Sequence, residues 1–99
     1  MTNYRVISPK YIISQADQAK TRNFQQAVSK INQMLEVAAE KGYKGIQFYF
    51  WDYFNNLSYK DFENIKTVFR NAGWLTEKGK RQYDLRITTN LFADDYILK

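Results

Sequence analysis

Gly45-Ile46-Gln47-Phe48-Tyr49-Phe50-Trp51-Asp52-Tyr53-Phe54 is the stretch on which the reading of this chain turns. It is almost wholly β-branched or aromatic, and its alternation sets Ile46, Phe48 and Phe50 against Gln47, Tyr49 and Trp51, as a strand with two differently lined faces would. A central strand is therefore expected here. Its first face needs a hydrophobic cover. The second is aromatic with polar tips, and a large apolar patch of that kind is seldom left bare on a monomer, so something is expected to cover it.

The segments on either side supply the first cover. Upstream, Ser8-Pro9 reads as a helix start, since serine can accept an orphan backbone N–H and proline at the first helical position has none to lose. No proline or glycine then interrupts the chain until Gly42. Phe24, Ala27, Val28, Ile31, Met34, Leu35 and Ala38 recur at spacings of three and four, giving one apolar stripe. A weaker stripe of Ile12, Ile13, Ala16 and Ala19 precedes it. A helix from Pro9 to Lys41 would be about 50 Å long, against about 20 Å for a six-residue strand. Either it breaks near Asn23 and folds back, or residues 9–22 project as an arm. Residues 1–7 stay unassigned, as a frayed arm or an edge strand.

Gly42 is placed to end the helix in a left-handed conformation, and Gly45 to let the chain turn into the strand. Downstream, Asn55-Asn56 makes a polar turn. Ser58 caps a second helix with Asp61 at its third position, Leu57 stapling to Phe62. Its stripe is Phe62, Ile65, Val68, Phe69 and Ala72, and Gly73 closes it. Trp74-Leu75-Thr76 and Tyr83-Asp84-Leu85-Arg86-Ile87-Thr88 then bracket the polar loop 77–81 as a hairpin. A right-handed crossover leaves the first two strands parallel and the last antiparallel to its partner.

The expected fold is thus α+β, a two-layer α/β arrangement: long N-terminal helix, central strand, second helix and C-terminal β-hairpin, forming a small mixed sheet with helices on one face. One domain spans 1–99, with a core at 23–88, 1–22 as the candidate arm and 89–99 as an extension read as a short helix or an added strand.

The composition narrows function more than it assigns it. Neither cysteine nor histidine is present, which removes thiol nucleophiles, the usual zinc sites and the commonest general base near neutral pH. No enzyme activity, cofactor or metal is expected. The pair Asp94-Asp95 diverges on either kind of element, and Asp61 with Glu63 is accounted for by a helix N-terminus. A pocket gathering Asp52, Asp84 and Asp94 would reopen the question. No apolar run approaches the ~20 residues needed to cross a bilayer, and Met1 to Arg5 lacks a secretory pattern. A soluble, cytoplasmic protein is expected.

Two binding readings follow. Tyr49, Trp51 and Tyr53 are candidates for a protein-binding face, because tyrosine and tryptophan bring large rigid contact area; the bland alternative buries them in structure. Net charge is +5, and Lys78, Lys80, Arg81 and Arg86 interleave with Tyr83 much as single-stranded nucleic-acid binders interleave charge and rings. Hairpin tips, however, are often lysine-rich simply for solubility.

The order of features resembles a loose group of small tailed-phage and prophage proteins: a helix ending Ala38-Ala39-Glu40-Lys41-Gly42, a strand, a helix ending Ala72-Gly73-Trp74, and a closing Tyr83-Asp84-Leu85-Arg86-Ile87. The likeness covers roughly residues 12–88. This chain differs in running eleven residues past Thr88, in having Thr-Thr where the group tends to end in Ser-Trp, and in its unusually aromatic strand. The resemblance implies a phage-encoded accessory protein that grips a bacterial host protein, in host takeover or against a defence system, or else binds its own copies. It assigns no site residue.

Overall fold

The structure is a computed structural model and describes residues 6–99. Readings that fall on residues 1–5 lie outside the described residues. Helix α1 runs Pro9–Glu40, with the Ser8 hydroxyl accepting from the Tyr11 N–H as anticipated. It is continuous through Asn23. No strained or kinking residue interrupts it, so the break that would have folded residues 9–22 back does not occur. Its second half buries Ala27, Ile31, Met34, Leu35 and Ala38. Its first half buries nothing.

Strand β1 (Gly45–Tyr49) is followed at once by a single helical turn, α2 (Phe50–Tyr53). The strand is shorter than the alternation suggested, and the reason is pairing. Partner strand β3 (Asp84–Thr88) is antiparallel to β1 and begins opposite Tyr49. Past that point an extended chain would leave backbone groups without partners. The helical turn satisfies one through Phe54 N–H to Phe50 O at 3.0 Å, and buries Phe50 and Phe54.

Helix α3 (Tyr59–Asn71) starts in the expected capping box, Asp61 N–H to Ser58 Oγ at 3.1 Å and Ser58 N–H to Asp61 Oδ2 at 3.0 Å. Gly73 closes it at a φ of +101°. Strand β2 (Leu75–Lys78) reaches two residues further than the hairpin reading had it, and a two-residue strand β4 (Ile97–Leu98) pairs parallel to β1. The extension is therefore an added strand. The sheet order is β2-β3-β1-β4. Because β1 and β2 are both antiparallel to β3, they are parallel to each other with β3 filling the gap. The unit β1-α3-β2 is a split β-α-β crossover.

The result is α+β: a mixed four-stranded sheet with α1 and α3 on one face. Ile46, Phe48, Leu85 and Ile87 project from the sheet into that layer and meet Ile31, Ala38, Phe62, Ile65 and Phe69. The radius of gyration is 17.9 Å with extents of 70 × 25 × 23 Å, whereas a compact chain of about 100 residues has a radius near 13 Å. The excess is the projecting first half of α1.

Candidate protein-binding surfaces

The three aromatic residues singled out around the strand do not form one face. Tyr49 is on the side of the sheet away from the helices, half-buried, with the Arg81 guanidinium 4.1 Å from its ring centre. Trp51 belongs to α2 rather than the strand, and packs edge-on to Phe50 at 4.8 Å and Tyr83 at 5.5 Å. Tyr53 is 41% exposed, lies edge-on to Phe48 at 5.5 Å, and borders the α1 residues Met34 and Val37. The helical turn separates them. With Trp51 rotated off the strand, the second face carries one β1 aromatic, and charge covers it.

That cover is built from the hairpin cations. Arg81 donates from its backbone N–H and from Nε to the buried Asp84 carboxylate, at 2.8 and 3.1 Å. Burial pushes the Asp84 carboxyl up, but the backbone hydrogen bond, the guanidinium hydrogen bond and the charge of Arg81 outweigh it and hold Asp84 below the ordinary aspartate range. Arg86 donates Nε to Gln47 Oε1 at 2.9 Å, pairs with Glu77 at 3.5 Å and stacks on Tyr96 at 4.4 Å. Of the four candidate nucleic-acid contacts, two arginines are thus engaged within the chain. Lys78 and Lys80 are exposed and make no ion pair among the described residues.

The surface with no internal cover is the first half of α1 and the residues leading into it. Val6 is 84% exposed, Ile13 62%, and Ile7, Tyr11 and Ile12 half or more. Ile12, Ile13, Ala16 and Ala19 lie at helical spacing along the arm, flanked by Lys10, Lys20 and Arg22 against a single acid, Asp17. The arm's thin stripe was legible in the sequence. The contribution of Val6, Ile7 and Tyr11 was missed, although two apolar pairs or triplets around a helix start are a visible signal.

Among the described residues no three His, Cys, Asp or Glu side chains meet where a metal could sit, so Asp52, Asp84 and Asp94 do not form the pocket considered above. No described helix is long and apolar enough to cross a membrane. Comparison with protein families, with curated proteins and with solved structures finds no match.

Proposed function

We propose that this protein is a non-catalytic binding protein, and that it engages another protein through the projecting first half of α1. One observation carries this reading: five large apolar side chains, Val6, Ile7, Tyr11, Ile12 and Ile13, stand at least half exposed on the arm or just ahead of it, where no described residue of the first half of α1 is buried. A helical segment of about 14 residues is marginal on its own in water, and most helices gain their stability from packing one face. An amphipathic helix laid into an apolar groove is a common way to bind a protein, with anchors at three- and four-residue spacing such as Ile12, Ala16 and Ala19.

Two partners fit, a second copy of the chain or a foreign protein. The resemblance to small phage proteins directs the second search to host takeover or defence factors in a bacterial cytoplasm. Sedimentation equilibrium of the wild type and an Ile12→Asp, Ile13→Asp variant separates them. Self-association lost in the variant gives the first partner. A monomeric wild type that retains a bacterial protein, with retention lost in the variant, gives the second. Unchanged association or retention in the variant would reject the arm.

The aromatic strand region has less support as the contact, because Tyr49, Trp51 and Tyr53 face three ways. Nucleic-acid binding by the hairpin likewise has less support, with Arg81 and Arg86 engaged by Asp84 and Glu77.

A further inference from the structure

A second open surface lies on the opposite side of the sheet from β4. Strand β2 is an edge, and its register fixes which backbone groups face outward. The Gly79 N–H bonds Asp84 O at 3.3 Å, and the β2/β3 register runs Leu75↔Thr88, Thr76↔Ile87, Glu77↔Arg86 and Lys78↔Leu85. In an antiparallel ladder, hydrogen-bonded and non-hydrogen-bonded pairs alternate. Leu75 and Glu77 therefore bond to β3, while Thr76 and Lys78 turn their N–H and C=O groups out from the sheet. No other described residue takes up those groups. The edge carries two unpaired donor–acceptor pairs at the spacing that an added strand requires, that of the exposed Lys78 and that of Thr76, which is 9% exposed.

Beside this edge runs a groove of about 200 Å³ between α3 and the hairpin. At one end Tyr59, Phe62 and Tyr83 form an aromatic wall, with Tyr59 and Tyr83 edge-on at 6.0 Å. At the other, Arg70 donates Nε to Thr76 Oγ1 at 2.6 Å. That acceptor is neutral, so the guanidinium keeps its charge and its two terminal nitrogens for a further partner. The acids of the groove are already matched, Glu63 by Lys66 at 3.0 Å and Glu77 by Arg86 at 3.5 Å. Neither Arg70 nor Lys78 makes an ion pair among the described residues, although the charge of Arg70, behind the Lys66 hydrogen bond, also acts on Glu63 across the groove.

We propose that this groove takes an extended acidic peptide segment, which adds to the free edge of β2 as a fifth strand. Its backbone pairs with Thr76 and Lys78. Carboxylates on its helix-facing side meet the forked guanidinium of Arg70 and the Lys78 ammonium, and an apolar or aromatic side chain on the same side reaches the Tyr59–Tyr83 wall. Strand addition of this kind draws affinity from main-chain hydrogen bonds and selectivity from alternate side chains. Charge disfavours a second β2 as the occupant, since edge-to-edge pairing would bring two sets of Arg70 and Lys78 together. The lysine that discourages self-pairing is what favours an acidic strand.

The probe is a blocked hexapeptide, acetyl-Val-Glu-Val-Glu-Val-Phe-amide, which places both glutamates and the phenylalanine on one face. Titrated into the ¹⁵N-labelled full chain, it is expected to give saturable shifts centred on the Thr76 and Lys78 amides and to slow their hydrogen exchange. Arg70→Gln should weaken binding about tenfold. A peptide with both glutamates replaced by lysine, and one N-methylated along the edge that faces β2, should not bind; these two need no change to the protein. Absence of saturation at millimolar peptide would overturn the proposal. So would equal affinity for the lysine peptide, or shifts confined to the arm.

Discussion

At the scale of the residue, close approach and buried charge set the sharpest constraints. Gly45, between the end of α1 and the start of β1, stands where a glycine commonly serves a turn. The structure gives a different reason. A Cβ there would sit 2.5 Å from Ile87 O and 2.6 Å from Thr88 Cγ2, so the β1/β3 pair can close only over a hydrogen. Gly45→Ala is expected to lose about 1–3 kcal/mol of unfolding free energy through overpacking, measured by urea denaturation. A loss no larger than that of an exposed surface change would contradict the contact.

Asp84 makes the second residue-scale prediction. Its carboxyl titrates lower folded than unfolded, held there by Arg81. The unfolded chain therefore binds more protons across the interval between the two values, and stability falls as the medium becomes more acid. The contribution is complete above about pH 4, the ordinary aspartate range, and drains as pH drops through the folded value. Asp84→Asn should be less stable than wild type at neutral pH, with the difference shrinking in denaturation curves taken toward pH 2. A gap that widens on acidification would contradict the assignment. The Arg81–Asp84 turn was out of reach of pattern reading, which saw Arg81 only as one of four basic residues on a hairpin.

At the scale of the element, α1 is two objects in one helix. Residues from Phe24 onward read as a buried stripe and are one, because spacing at three and four survives any choice of partner. Residues 9–22 left two readings open, and local sequence could not choose between them: a helix continues through Thr21-Arg22-Asn23 unless a fold-back contact repays the bend, and only tertiary structure shows that none does. The consequence is measurable. Amides of residues 12–22 in the dilute protein should exchange far faster than those of residues 31–38, whose side chains reach the core. Uniform protection along α1 in a proven monomer would contradict an unsupported arm. Strand β1 failed in the opposite sense. Its aromatic alternation runs on to Phe54, yet the pairing that sustains a strand ends at Tyr49, where β3 begins. Propensity gave the start of the element, and the length of its neighbour gave the end.

At the scale of the molecule, the sheet-and-helix body was legible because its core is made of periodicities and caps: Ser8-Pro9, the Ser58–Asp61 box, and the apolar stripes. The strand order was not, since nothing local tells β3 to enter between β1 and β2. The candidate surfaces follow from that order. Inserting β3 leaves β2 as the free edge beside α3, and draws Arg81 and Arg86 across the other face to cover Tyr49 and Tyr96. Two surfaces then stand without an internal cover among the described residues, an apolar rod and a cationic strand edge.

The arm is the claim on which this account depends, and a photo-cross-linker in place of Ile13 interrogates it most directly. Irradiated as purified protein and in bacterial lysate, the labelled chain should yield one discrete protein adduct, self or foreign. In lysate, excess unlabelled wild type should compete a foreign adduct away while the Ile12→Asp, Ile13→Asp variant should not, and a self-adduct should be lost when the labelled chain also carries Ile12→Asp. No adduct in either setting, or an adduct that the variant competes as well as wild type, would contradict it.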